Sequence, residues 1–446
     1  LIFAFPLILI VLISLFLHLF KHKSDIINTF ILLTFVQTQC FVSLQTSNFI
    51  MQHLLTKRIN NLPISETLAM SARARQLKAE GKDIINLSIG EPDFDPPQFI
   101  KDAAVEAINE NFSWYTPIEG YLELREAICR KLLRDNALKY QPSQVVVSTG
   151  AKQSLANASM VLLDPGDEAI LAAPYWVSYE AIINLCEAVP VVIYSGIKQN
   201  FKILPEQLEA AITPKTKVLF INSPSNPSGA IYTKEEYRAL ADVLAKHPNI
   251  FVISDEIYEH INYDGKPFSF AALEDMYDRT ITVNGLSKAF AVTGWRLGYM
   301  AAPEWIAKAC TKMQGQITSG ANCITQRAAI TALEAPVSAI QYMINEFRER
   351  KDIVYKLLID VPGFKTTMPS GAFYFLPDIS YYFGKTLHGR TILNATDFSM
   401  LLLEVANVAT VSGEAFGAPN CVRLSYATSR ELLIEAIERI KKCVMN

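Results

Sequence analysis

An α/β fold is what this sequence predicts: a mostly parallel central sheet with helices on both faces, followed by a smaller α+β domain. Three observations point there. Short Val- and Ile-rich runs that do not alternate recur along the chain, as strands buried on both faces require. Helical patterns sit between those runs, which is the rhythm of parallel strands joined by crossover helices. After about residue 335 that rhythm stops.

The strand candidates are VVVST (145–149), AILAA (169–173), VLFIN (218–222), FVISD (251–255), TITVN (280–284) and LGYMAA (297–302). Among the helices, 98–109 repeats Phe99/Ile100, Ala103/Ala104 and Ala107/Ile108. The stretch 121–134 repeats Leu124, Ile128 and Leu132, and 234–246 repeats Tyr237, Leu240/Ala241 and Leu244. Each set has the three-to-four spacing of one buried helix face. A long helix follows at 336–359, where the charge run EFRERKD reads as a solvated face. The strand-like GAFYFL and VRLSYAT come next, then a last helix for which Thr428-Ser429-Arg430-Glu431 reads as a capping box.

Composition narrows the class. The 446 residues are 50% apolar and 19% charged, enough for a large core and against disorder. A net charge of -3 offers nucleic acid no basic surface. Seven cysteines, with no CxxC pair, fit reduced thiols in the cytoplasm better than a disulfide scaffold or zinc ribbon.

Residues 1–50 differ in kind. LIFAFPLILIVLISLFLHLF is long enough to span a bilayer. The break in composition at Met51 favours an extension outside the fold. The competing reading is an anchor, with Lys21 and Lys23 keeping the body on the cytoplasmic side.

Candidate chemistry collects at strand ends. Lys288 follows TITVN, where desolvation would favour the neutral amine that a Schiff-base nucleophile needs. Asp255 ends FVISD, at the edge of an open sheet where ligands bind. Asn226 lies in the turn NSPSNPSG (222–229). Ser148-Thr149-Gly150-Ala151-Lys152 leads into a helix whose first N–H groups would meet an anion.

Taken in order, these pieces resemble the fold-type I pyridoxal-phosphate enzymes, class I aminotransferases, and within them the bacterial aspartate aminotransferase branch. The resemblance runs from about Met51 to the C-terminus. It rests on GEPDF (90–94), WYTPIEGYLELR (114–125), PYWVSY (174–179), NSPSNPSG, DEIY (255–258), SKAFAVTGWRLGY (287–299) and RLSYATS (423–429).

The resemblance implies pyridoxal 5′-phosphate as cofactor, with Lys288 bonded to it and moving the proton. Asp255 matches the partner of the ring nitrogen, Asn226 and Tyr258 the donors to the ring's 3′-oxygen, and Trp176 the ring that stacks on it. Ala151, Lys152 and Arg296 match the phosphate site. Gly285 stands where some branches place a phosphate-binding serine. Tyr115 matches a tyrosine that reaches the neighbouring subunit's phosphate, which implies a homodimer with shared active sites. Arg423 matches the residue for the substrate's α-carboxylate, and Gly90 a glycine whose backbone approaches the substrate. Lys152, Ser65 and Thr67 match the site for a distal carboxylate.

The activity so implied is transamination from L-aspartate to 2-oxoglutarate in the cytoplasm. The alternatives are an aminotransferase for aromatic or other amino acids, or a C–S lyase on the same scaffold. Pro63 and Ile64 lack the basic residue of prephenate-accepting members, which speaks against prephenate. The implied organisation is an N-terminal arm and part of the small domain at 51–95, the large cofactor-binding domain at 96–335, and the small domain at 336–446.

Overall fold

The computed structural model describes residues 54–62, 66–265 and 268–445. The expectations for residues 1–50 and for Ser65, Pro63 and Ile64 lie outside the described residues. The chain divides between Asn61 and Leu62 into two units. In the first, the described part holds one helical turn, Lys57–Asn60, whose N–H of Ile59 is capped by the Thr56 hydroxyl. No helix among the described residues is long and apolar enough to cross a membrane.

The second unit is built on a seven-stranded sheet. Its strands are β1 (Val145–Ser148), β2 (Glu168–Ala173), β3 (Val189–Tyr194), β4 (Thr216–Asn222), β5 (Phe251–Asp255), β6 (Thr280–Gly285) and β7 (Gly298–Ala301). They lie in the order β1-β7-β6-β5-β4-β2-β3. Only β7 runs antiparallel to its neighbours.

Alternate residues of one strand serve opposite cores, which is why the strands read as unbroken apolar runs. Val146, Leu171, Phe220 and Ile253 pack on Leu155 and Ala158 of the helix Ala151–Leu162. Val145 and Val147 face Leu124, Ile128 and Leu132 of the helix Leu122–Asn136. Leu219 and Val252 face Leu240 and Leu244 of the helix Lys234–Ala245.

Beside this sheet, Val411–Ser412, Val422–Ser425 and Tyr374–Phe375 make a three-stranded antiparallel sheet. Ile85–Asn86 pairs in parallel with Val408–Ala409. A core of Phe347, Phe373, Phe375, Phe398, Leu424 and Ile437 fills the space between these strands and the helices Gln341–Leu358, Ala395–Glu404 and Arg430–Met445.

Three expectations need correction. β3 is a strand that sequence reading passed over. The run EFRERKD is not simply a solvated face, because Arg350 and Lys351 are buried. Arg350 reaches Asp93 (2.6 Å) and Glu346 (2.9 Å), and that pairing permits its burial. The final helix starts one residue later than the capping box implied, with Ser429 Oγ accepting from the N–H of Leu432 (3.3 Å).

Candidate active site

Three adjacent parallel strands, β4, β5 and β6, end together and deliver Asn226, Asp255 and Lys288 to one place. Asn222 closes β4 and organises the turn after it. Its amide donates to the Asp255 carbonyl (2.9 Å), and its Oδ1 accepts from the N–H of Asn226 (2.7 Å). The turn carrying Asn226 is thereby tied to the end of β5.

Asp255 is buried, and its hydrogen-bond partners are neutral. Oδ1 accepts from the N–H of Ile257 (3.2 Å) and Oδ2 from the hydroxyl of Tyr179 (2.7 Å). Burial pushes its carboxyl up to about 6, against these donors and the positive charge of Lys288. It is therefore ionised at neutral pH but short of a cation.

Lys288 sits in the turn after β6. Its Nζ donates to the Gly90 carbonyl (2.6 Å) and lies 6.0 Å from the centre of the Tyr258 ring. Desolvation lowers its ammonium to about 8, opposed by Glu91 and Asp255 and helped by Arg423 and Arg296. A lysine with that value reaches its nucleophilic form near neutral pH.

The start of the helix Ala151–Leu162 forms an anion cradle. Gly150 holds φ +82, and a Cβ there would lie 2.3 Å from Arg296 Nη2, so the guanidinium closes over bare backbone. No side chain caps this helix. The first N–H groups, of Ala151 and Lys152, have no partner within the helix, as at any helix start. Lys152 lies with its Nζ 4.8 Å from the centre of the Trp176 ring. Burial and the nearby Arg296 lower its pKa.

Arg423 is the second cation. It is 2% exposed and lies close to the rings of Tyr374 and Phe416, 4.7 and 4.8 Å from their centres. Nη1 donates to Asn226 Oδ1 (3.0 Å) and Nη2 to the Ser88 carbonyl (2.6 Å), while Nε has no partner. A buried guanidinium held only by neutral acceptors is a place for an incoming carboxylate.

All these groups line one cavity of about 350 Å³. It brings together Lys288, Asp255, Asn226, Tyr258, Trp176, Ala151, Lys152, Arg296, Gly90, Arg423 and Thr67. The hydroxyl of Thr67 is buried without a partner. Tyr115 is not in the cavity; its side chain is 99% exposed.

An anion cradle, a lone buried carboxylate, a near-neutral amine and a partnerless guanidinium nitrogen suit a phosphorylated pyridine aldehyde and an amino acid. The family model described as "Aminotransferase class I and II" matches residues 82–440. This chain belongs to that family. The enzyme is an aminotransferase, and its cofactor is pyridoxal 5′-phosphate.

Its relatives agree on the branch. A bifunctional aspartate aminotransferase and glutamate/aspartate-prephenate aminotransferase from Petunia hybrida is 45% identical, over 88% of this chain and 83% of that protein. The crystal structure of the aspartate aminotransferase from Rhizobium meliloti superposes with a TM-score of 0.85 at 44% identity, covering 87% and 98% of the two chains. The Thermus thermophilus aspartate aminotransferase with maleate gives 0.82 at 39%, covering 87% and 99%.

Sequence reading passed over several residues of this aminotransferase site. Tyr179 and Tyr374 lie inside the motifs PYWVSY and GAFYFL, but nothing local marks their hydroxyls as aimed at the cavity. Asn222 and Ser88 act through a backbone neighbour and a backbone carbonyl, which leave little trace in residue type.

Proposed function

We propose that this enzyme moves the amino group of L-aspartate to 2-oxoglutarate, releasing oxaloacetate and L-glutamate. The carrying observation is a pair of cations, Arg423 and Lys152, on one cavity with the amine of Lys288. Two cations suit a dicarboxylic substrate. The Rhizobium and Thermus relatives, both aspartate aminotransferases and the latter with maleate, support the same choice.

Each residue then has a task. Lys288 would bond the cofactor and carry the proton to and from the substrate; its Nζ donates to the Gly90 carbonyl (2.6 Å). Asp255 holds a proton on the ring nitrogen, which needs a carboxylate that is ionised above about pH 6. Asn226 and Tyr258 would donate to the 3′-oxygen, and Trp176 would stack on the ring; all three line the cavity. The N–H groups of Ala151 and Lys152 and the guanidinium of Arg296 hold the phosphate. The cofactor supplies an electron sink and a carrier for the amino group. Arg423 takes the α-carboxylate, with Gly90 passing close by. Lys152, Thr67 and Ser65 take the distal one.

The exposed Tyr115, beside a Trp114 that is 82% exposed, supports a homodimer in which Tyr115 reaches the partner's phosphate. None of the described cysteines is in a disulfide, which suits the cytoplasm. Pairing of Ile85–Asn86 with Val408–Ala409 supports counting part of 51–95, beyond an N-terminal arm, with the small domain of 336–446.

The test is a substrate panel. Cofactor-loaded protein should convert aspartate and 2-oxoglutarate to equal amounts of oxaloacetate and glutamate, faster than it uses alanine or phenylalanine. Ammonia or thiol release in place of glutamate would mean a lyase. The Petunia relative's name makes prephenate the second acceptor to try. Alanine turned over as fast as aspartate would remove the dicarboxylate reading.

A further inference from the structure

Two tyrosine hydroxyls meet inside the cavity wall, Tyr258 and Tyr374, 2.8 Å apart. Both side chains are buried. In this pair either oxygen can be the donor. Each hydroxyl has one proton, so each can donate only once.

Tyr374 has three further contacts. Its ring lies 4.7 Å from the Arg423 guanidinium, at cation–π distance. Its hydroxyl lies where a Cβ on residue 90 would come within 2.3 Å, so only glycine allows the Gly90 backbone to pass. Its ring is also edge-on to that of Tyr258, with centres 5.9 Å apart. The charged groups around the pair are Asp255, Lys288 and Arg423.

We propose that Tyr374 is a positioning residue with two faces: its hydroxyl donates to Tyr258 and so directs the Tyr258 proton at the cofactor's 3′-oxygen, while its ring holds Arg423 in place for the α-carboxylate. The inference rests on the role proposed for Tyr258. If Tyr258 donates to the cofactor, its proton is committed, and the hydrogen bond between the tyrosines must run from Tyr374 to Tyr258. A donor that itself accepts a hydrogen bond is polarised and donates more strongly. One side chain would thus couple the cofactor's oxygen to the substrate's anchor.

The experiment follows the pH titration of the cofactor's absorbance in loaded protein, with KM for aspartate as a second readout. A hydrogen bond from Tyr258 favours the ionised 3′-oxygen, so weakening that bond must raise the midpoint. Removing a donor to an ionised oxygen should raise it by about 1–2 units in Tyr258→Phe. Losing only the polarising bond should raise it by about 0.2–0.6 unit in Tyr374→Phe. Tyr374→Phe keeps a ring over Arg423, so KM should stay within about twofold of wild type. Tyr374→Met removes hydroxyl and ring; it should show the same rise in midpoint and a KM raised roughly 2- to 30-fold.

A shifted Tyr258→Phe beside unshifted Tyr374 variants overturns the inference and leaves the reading of Tyr258 standing. No shift in any variant overturns the role of Tyr258 itself. Should Tyr374→Phe fail to fold, Tyr374→Met still reads the hydroxyl's part. An unchanged KM in Tyr374→Met overturns the part assigned to the ring.

Discussion

Asp255, the last residue of β5, and Glu259, four residues on, are both buried carboxylates, and they live oppositely. Asp255 faces the cavity, is met by Tyr179 and a backbone N–H, and is pushed up to about 6. Glu259 faces away. Lys131 bonds its Oε1, Asn136 donates to its Oε2 (3.0 Å), and His260 lies 3.3 Å off. Though burial opposes ionisation, Lys131 and His260 hold this carboxyl well below the usual range. One carboxylate is complete within the chain. The other forms no ion pair among the described residues and feels the charge of Lys288 only at a distance. The difference teaches that a buried charge with only neutral partners marks a ligand, whereas a buried charge fully paired marks a joint between elements.

The comparison breaks most visibly in turnover. Asp255→Asn should lose nearly all transamination, yet cofactor-free protein should melt no lower than wild type, because an uncompensated buried charge is gone. A lowered melting temperature in that apo-protein would make Asp255 a structural joint as well. Lys131→Met should do the reverse, costing about 3–5 kcal/mol of unfolding free energy by stranding Glu259. Lys131→Met combined with Glu259→Gln should recover most of that loss in a denaturant titration.

A pH effect sharpens the same contrast on the basic side. Lys288 loses its proton near 8 in the folded chain and near 10.5 in the unfolded one. Between those values the unfolded state binds more protons, so apo-protein stability should rise with pH, by at most about 3 kcal/mol. Thermal melts from pH 8 to 10 should show the rise flattened in Lys288→Met. Asp255 contributes with opposite sign lower down, its folded value of about 6 exceeding 3.8 and stability falling as pH rises between them.

The smallest effect concerns selection. Lys152→Ala should lower activity toward aspartate and glutamate by about 10- to 150-fold, the worth of one charge-assisted hydrogen bond. Alanine and phenylalanine should be little affected. Equal losses for all four would assign Lys152 to the phosphate or the fold.

Legibility in the sequence obeys the same physics. Strands buried on both faces announce themselves, and six of the seven in the main sheet were legible. β3 was not, because it is an edge strand with Pro190 in it and with Val189 and Tyr194 exposed, so its pattern lacks the buried run. The cavity residues on β4, β5 and β6 were legible because strand ends collect ligands. Tyr374 was not. Its contacts with Tyr258 and Gly90 join segments more than a hundred residues apart, and no local pattern predicts such a meeting. EFRERKD misled for a related reason, since the acid that lets Arg350 be buried, Asp93, lies in the distant motif GEPDF.

The guanidinium of Arg423 lies near two rings, those of Tyr374 and Phe416, 4.7 and 4.8 Å from their centres, and of its nitrogens Nε has no partner. A carboxylate that meets its edge by the two-bond fork has its plane fixed. On the reading proposed above, the amino group is held on the side of Lys288 and the distal group on the side of Lys152. Three attachments then surround one tetrahedral carbon, and its hydrogen has a single direction left. Exchanging that hydrogen with the side chain would turn the distal carboxylate away from its cation. Three fixed attachments thereby make the site a judge of chirality.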